Sequence, residues 1–362
     1  MSRPKVLFLF NKPRAQQARL YQAGQCPEES LYAYYQLREM GFDTRFSDAG
    51  HERTLSNRGL KFIDNLMSGW GKSIGFHIAQ AKTLRKKYEE ADLIFATADS
   101  SALPVLGMKE AGLVKAPVVM ATIGLVAHFP KPQGARFALY RRLLRQAKLI
   151  IHYGYGEGEL LQSVFDVPKD KIRFVPFGVQ AAFFKGAMNR DGRALSVGLD
   201  QQRDWDALAF AAKQTNIEMD LICGPGALVG RTLPPSIRRI NPVTPLELRE
   251  KLLRAKFVVL PVKENPYSGA TITLLESMAA GCPIVVSETS AIQKGYPLVD
   301  GQTCLLVPPG DDQALAKAMA RLDGDEKYRK VLGANAENAV TAQNTISDLA
   351  NRLTEVFEEA LS

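Results

Sequence analysis

The stretch Ser268-Gly269-Ala270-Thr271 stands immediately before an apolar helical run, and Glu276 follows eight residues after Ser268. Backbone N–H groups at a helix start have no partner within the helix, and the dipole there favours negative charge. The amides of residues 269–272, Ile272 included, therefore suit phosphate oxygens. Gly269 lets the backbone approach such a ligand closely, and Thr271 or Ser268 can cap the helix or contact the ligand. Glu276 sits among Leu274, Leu275, Met278 and Ala279, which favours a functional carboxylate over a solvated helix acid. A second group lies in Ser196-Val-Gly-Leu-Asp-Gln-Gln-Arg-Asp-Trp205, where Arg203 follows Gly198 by five residues. A guanidinium there offers a bidentate fork to phosphate. His128 ends Thr122-Ile-Gly-Leu-Val-Ala-His128, a segment after an apolar run, and is a candidate to contact a ligand or act in catalysis. His77 and His152 read as structural.

Such groups need elements to aim them. Apolar runs of four to six residues with little alternation predict strands covered on both faces. They fall at Val6–Phe10, Asp43–Phe46, Leu93–Ala96, Pro117–Ala121, Leu149–His152 and Ile172–Val175. A second series falls at Ala194–Gly198, Met219–Cys223, Phe257–Pro261, Pro283–Ser287 and Cys304–Val307. Helices are expected at Trp205–Lys213, Pro245–Ala255, Thr273–Ala280, Asp312–Arg321, Glu326–Thr341 and Ile346–Leu361. Asn11–Cys26 reads as a long polar loop. Pro27-Glu28-Glu29 reads as the start of a helix ending at Gly41, with its acids favoured by the dipole. Alternating strands and helices imply an α/β chain of two parallel, doubly wound domains. The expected boundaries are residues 1–180 and 190–345, with helix 346–362 packing back on the first domain and a ligand cleft where strand C-termini face each other.

Composition narrows the class. With 46% hydrophobic and 23% charged residues in 362, the chain is globular rather than disordered. No run reaches the length of a membrane-spanning helix, and the apolar run after Lys5 is too short for a signal-peptide core. Four scattered cysteines suit a reducing, cytoplasmic setting. The net charge of +8 is lopsided: residues 1–180 hold 26 basic and 16 acidic groups, the rest 20 and 22. The basic helix Arg136–Lys148 has an apolar face at Phe137, Tyr140, Leu143 and Leu144. This excess fits either a solvated surface or an anionic partner.

Residues 268–288, Ser-Gly-Ala-Thr-Ile-Thr-Leu-Leu-Glu-Ser-Met-Ala-Ala-Gly-Cys-Pro-Ile-Val-Val-Ser-Glu, resemble the donor-site signature of glycosyltransferase family 4. These are the group 1 glycosyltransferases of the GT-B fold, two Rossmann-like domains facing a central cleft. Val258-Val-Leu-Pro before it, Asp300–Asp311 with its Pro-Pro-Gly-Asp after it, and Lys171–Val179 upstream extend the resemblance over about residues 145–340. The resemblance implies that Glu276 accepts hydrogen bonds from both ribose hydroxyls of a nucleotide sugar. It also implies that Arg203 and Gly198 face the diphosphate, and that Gly224, in Cys223-Gly-Pro-Gly226, lines the base pocket. Two positions depart from the pattern. Ser268 stands where the family has an acid that contacts the transferred sugar, with Glu264 a candidate substitute, and Leu199 stands where a diphosphate-binding arginine is usual.

The activity so implied is transfer of a sugar, a hexose by preference, from a UDP- or GDP-linked donor to a hydroxyl acceptor. Configuration would be retained, without metal, and with no cofactor beyond the nucleotide sugar as co-substrate. Arg203, Ser268 and His128 are the candidate catalytic groups. The alternatives are a sugar-nucleotide epimerase or hydrolase of the same fold, or a non-catalytic partner subunit with a degenerate donor site. The charge excess points to a lipid or anionic glycan acceptor, with peripheral contact at the inner face of a membrane, and not to nucleic acid.

Overall fold

A computed structural model describes residues 3–49, 51, 55–69, 77–129, 131–200, 202–267 and 269–362. The chain forms two units, each around its own parallel sheet. Unit 1 holds residues up to Gln22, Ser30–Val175 and Ala350–Ser362; unit 2 holds Ala23–Glu29 and Pro176–Leu349.

Unit 1 is built on β1 (Lys5–Leu9), β2 (Asp43–Phe46), β3 (Leu93–Ala96), β4 (Val118–Thr122), β5 (Leu149–His152) and β6 (Ile172–Phe174). They lie in the order β2-β1-β3-β4-β5-β6, every pair parallel. β3, β4 and β5 are buried at every position, which is why they read as unbroken apolar runs. One core layer packs Leu7, Ile94, Met120 and Ile150 against Leu103, Leu106, Tyr140, Leu144 and Phe165 from helices Asp99–Glu110, Gly134–Leu144 and Glu157–Phe165.

Unit 2 repeats the plan with β7 (Ala194–Gly198), β8 (Met219–Cys223), β9 (Ile237–Ile240), β10 (Val258–Leu260), β11 (Ile284–Ser287) and β12 (Leu305–Val307). Their order, β12-β11-β10-β7-β8-β9, is the doubly wound dinucleotide-binding order, reversing direction between β7 and β10. In such sheets ligands bind beyond the strand C-termini at that reversal. β9 lies outside the expected strands because its sequence, Ile-Arg-Arg-Ile, exposes two arginines at the sheet edge.

Two further expectations fail near the N-terminus. Residues 15–22 are helical, not loop: the Asp48 carboxylate accepts from Arg14 N and Ala15 N, both at 2.8 Å, and so caps helix Ala15–Gln22 from 33 residues away. No helix begins at Glu28. A single turn, Glu29–Leu31, is followed by Tyr32 and Ala33 with φ of 54° and 58°, and the helix proper is Tyr34–Glu39. The two acids are buried in unit 2 instead of capping a solvated helix.

The last helix, Ile346–Leu361, starts in unit 2 and ends in unit 1. Its start is capped reciprocally: Thr345 N donates to Asp348 Oδ2 at 2.8 Å and Asp348 N to Thr345 Oγ at 3.2 Å. In unit 1, Phe357 is fully buried with its ring 5.2 Å from that of Phe95 and 5.8 Å from that of Phe42. Arg173 forks onto Glu359, with Nε donating to Oε2 at 2.9 Å.

Candidate functional site

The reversal of the unit 2 sheet is where the sequence-predicted groups gather. After β7 the chain runs through Leu199 to Arg203 and lies against the segment after β10. Asp204 N donates to Pro261 O at 2.9 Å, Lys263 N donates to Gln202 O at 2.8 Å, and Arg203 pairs with Val262 as an antiparallel bridge. Asp204 then caps helix Trp205–Thr215 by accepting from Ala207 N. Arg203 is thus fixed by backbone on both sides, and only 2% of its side chain is exposed. Its Nε approaches Asp200 Oδ2 at 3.2 Å without hydrogen-bond alignment, and Nη1 has no partner among the described residues. Burial lowers the guanidinium pKa, with Asp200 pulling it back up. Gly198 makes this placement possible, since a Cβ there would stand 2.2 Å from Arg203 Nε.

The segment after β10 leads to helix Thr271–Ala279. Ala270, at its N-cap, has φ 68°, a left-handed conformation costing roughly 1–2 kcal/mol for a residue with a Cβ. No side chain caps this helix, and the Thr271 hydroxyl is buried with no partner among the described residues. Gly269 is turned by a hydrogen bond from its N–H to Tyr267 O at 2.6 Å. Ile272 stands 39% exposed in the first turn. Ser268 lies outside the described residues. Asn265 is buried beside Gly269; its Nδ2 donates to Lys263 O at 2.7 Å while its Oδ1 has no partner among the described residues. Neither a motif nor a period in the sequence marks Asn265. Glu264, the candidate substitute for the acid missing at 268, accepts from Ser290 N at 3.1 Å and Ser290 Oγ at 2.6 Å, so one oxygen is committed to holding the loop.

Glu276 lies in the second turn, 9% exposed, its carboxyl with no hydrogen bond or ion pair among the described residues. Burial, and secondly Glu29, raise its pKa well above the usual carboxylate range. Gly224 follows β8; its carbonyl accepts from Ala227 N at 3.2 Å, and a Cβ there would meet open space, so glycine is not sterically required. Leu199, at the position of the missing arginine, is 69% exposed.

His128 belongs to unit 1, half-buried at the end of the turn Val126–His128. Two acids from neighbouring helices hold the loop that carries it. Glu157 Oε1 accepts from Gly124 N at 2.9 Å, and Asp99 Oδ2 accepts from Ile123 N at 3.4 Å. Both carboxyls are buried and each keeps one oxygen without a hydrogen bond among the described residues. Burial pushes Asp99 up to about 7; burial and then Asp99 push Glu157 up to about 8. His77 packs edge-on against His51 and falls to about 4 through burial. His152 Nδ1 lies 2.8 Å from Gly154 O inside the core, a structural placement.

The basic helix packs its apolar face at Phe137, Tyr140, Leu143 and Leu144, while Arg141 pairs with Asp166 and Arg142 with Glu110. Two of its cations are thereby matched. No helix among the described residues is long and apolar enough to cross a membrane, and no group of three or more acid, His or Cys side chains there could hold a metal ion.

Comparison with known proteins bears on this arrangement. Residues 206–325 match the family model described as glycosyl transferases group 1. An exopolysaccharide phosphotransferase of Streptomyces coelicolor is 31% identical over 138 residues, which is 37% of this chain and 14% of that protein. An MMP alpha-(1->4)-mannosyltransferase of Mycolicibacterium hassiacum is 22% identical over 238 residues, 62% of this chain and 57% of that protein. The chain thus spans a small part of the first relative and somewhat over half of the second. Among solved structures, a sucrose-phosphate synthase of Thermosynechococcus elongatus superposes with a TM-score of 0.71 at 17% identity, covering 98% of both chains. Anabaena HepE in complex with UDP-glucose superposes at 0.66 and 14% identity, covering 98% of this chain and 99% of that one. The chain therefore has the GT-B fold of two Rossmann-like units, and its residues 206–325 carry the pattern of the group 1 glycosyltransferases.

Proposed function

We propose that the protein is a glycosyltransferase that binds a nucleotide-diphosphate sugar in unit 2 and transfers the sugar, a hexose, to a hydroxyl acceptor bound by unit 1. The observation that carries this reading is the set of polar groups at the β7–β10 reversal whose hydrogen bonds are unmade among the described residues: Nε and Nη1 of Arg203, whose charge faces Asp200, the Thr271 hydroxyl, the Asn265 carbonyl oxygen and the start of helix Thr271–Ala279. Buried polar groups are normally satisfied, and orphans cost free energy that a ligand can return. Two donors and a helix dipole suit a diphosphate, and the Glu276 carboxylate suits a ribose diol. The UDP-glucose complex of a protein of like fold supports a UDP-linked donor.

Leaving-group charge would develop on the diphosphate and be met by Arg203 and the 270–272 amides, the Gly269 N–H being held by Tyr267 O, which is electrostatic stabilisation without a protein nucleophile or metal. Retention of configuration and family 4 membership belong to the same proposal, as do a cytoplasmic setting and catalytic roles for Ser268 and His128. The acceptor is anionic, a lipid or glycan, on the strength of the basic excess in residues 1–180.

Calorimetry against UDP, GDP and their sugars tests the donor; a protein that binds none of them refutes it. Product analysis with a chelator present tests the metal-free chemistry, because loss of activity restored by added metal would overturn it. A non-catalytic donor-binding subunit is the second reading, favoured by the exposed Leu199 where a cation is usual. Hydrolysis or transfer of a bound donor by the purified chain excludes it.

A further inference from the structure

Within unit 1, helix Leu55–Gly69 packs against helix Ile78–Thr83. Polar groups hold it there: Lys61 Nζ donates to His51 O at 2.9 Å, and Asp64 Oδ1 accepts from Ile78 N at 2.8 Å. Residues four apart share a helix face, and the face that carries Arg58, Phe62 and Leu66 is turned to solvent. Phe62 is 69% exposed, Leu66 58%, and Ile63, next to them on the helix surface, 43%. A helix of a globular protein ordinarily buries its apolar stripe and shows its polar one. Here that arrangement is reversed. A lone exposed apolar side chain would call for no explanation, but three adjacent ones form a patch that marks an interaction site.

Charge says what covers it. Residues 55–90 hold seven Lys and Arg against three acids. Each acid is engaged: Asp64 on Ile78 N, Glu89 with Arg85 at 3.9 Å, and Glu90 with Arg45 at 3.8 Å. Arg58, Lys82, Lys86 and Lys87 are exposed, with no ion pair among the described residues. We propose that this face of helix Leu55–Gly69 docks unit 1 on an anionic lipid bilayer. Phe62, Ile63 and Leu66 enter the boundary between headgroups and acyl chains, and the cations meet the lipid phosphates. A bilayer supplies both chemistries at once, an apolar interior beneath a negative surface. A second copy of the chain on the same face would set like charges against each other. The basic helix at residues 136–148 lacks the combination, because its apolar side chains are buried in the core and Arg141 and Arg142 are paired. The docking requires neither donor nor acceptor, and so goes beyond sugar transfer.

The test is co-sedimentation with vesicles of phosphatidylcholine, alone or mixed with phosphatidylglycerol. Wild type is expected to bind the mixed vesicles about tenfold or more tightly than the neutral ones, and to bind less as added salt screens the charges. Phe62→Gln/Leu66→Gln keeps helix propensity and removes only exposed apolar groups. It should melt as wild type does and bind the mixed vesicles about tenfold or more weakly. Lys82→Gln/Lys86→Gln/Lys87→Gln should reduce the preference for the mixed vesicles. Wild type that ignores those vesicles at low salt overturns the proposal. So does a Phe62→Gln/Leu66→Gln protein that binds them unchanged, since charge alone would then account for the binding. If that protein does not fold, Phe62→Trp decides. Lipids brominated on their acyl chains should quench its fluorescence beyond the quenching of the two native tryptophans, and no added quenching overturns the proposal. A wild-type dimer that Phe62→Gln/Leu66→Gln makes monomeric, with no vesicle binding, assigns the face to a second copy instead. Vesicle binding is measured without nucleotide, so a chain that binds neither UDP nor GDP leaves this result standing.

Discussion

At the scale of single residues, the donor half is marked by polar groups whose hydrogen-bonding capacity its own fold leaves unused. The Glu276 carboxyl makes no hydrogen bond among the described residues, so its removal should cost the ligand and spare the fold. Glu276→Ala is expected to weaken nucleotide-sugar binding by about 1–3 kcal/mol, read by calorimetry on folded protein. Arg203 combines a charge with a fork. Arg203→Ala should lower turnover by about 10²-fold, and Arg203→Lys by less, because lysine keeps the charge while losing the bidentate geometry. Equal, wild-type turnover in both variants would place the phosphates elsewhere. In unit 1, Glu157 is held neutral beside Asp99. Its raised pKa means that stability present below about pH 4.5 is lost as pH climbs through about 8. Glu157→Gln, which can still accept from Gly124 N, should therefore match wild type near pH 4 and melt several degrees higher at pH 8–9.

Elements decide which of these groups meet. The turn after β7 works only because Gly198 has no side chain over which Arg203 must climb. Gly198→Ala should displace Arg203 and reduce donor binding about as severely as Arg203→Ala, although the strand itself tolerates alanine; undiminished binding would show that the packing is slack. Parallel strands buried on both faces announce themselves as apolar runs, and so Leu93–Ala96, Leu149–His152, Ala194–Gly198 and Met219–Cys223 stand where the sequence alone places them. β9 was hidden by two outward arginines. Helix Ala15–Gln22 was hidden because its cap, Asp48, is remote in sequence. The same limit applies to Glu28 and Glu29. Local dipole logic assigned them to a helix start, while the partner that fixes them, Gln180, lies 151 residues beyond Glu29. Arg203, Gly198, Gly269 and Glu276 were legible because strand-then-glycine and helix-start patterns are local. Asn265 was not, since an asparagine in a loop carries no pattern until its burial is seen.

On the scale of the whole molecule, neither unit is a continuous stretch of chain. Residues 350–362 complete unit 1, where Phe357 joins the rings of Phe8, Phe42 and Phe95. Phe357→Ala should cost about 3–5 kcal/mol of stability, the range for a large aromatic lost from a core. Thermal unfolding followed by near-ultraviolet signal from that aromatic cluster would read it, and a change under 1 kcal/mol would mean the C-terminal turns are dispensable.

The interleaving has a consequence for birth as well as for stability. Domains are generally finished in the order of synthesis, the N-terminal one first. Here residues 23–29 and 176–349, all that unit 2 requires, have been polymerised before the ribosome reaches the codons for Ala350–Ser362. Translation thus completes the second unit before the first, and the first waits as a nascent sheet with an unfilled aromatic socket. A stall or frameshift within those codons would release a polypeptide whose second unit is whole while its first exposes core rings to chaperones and proteases.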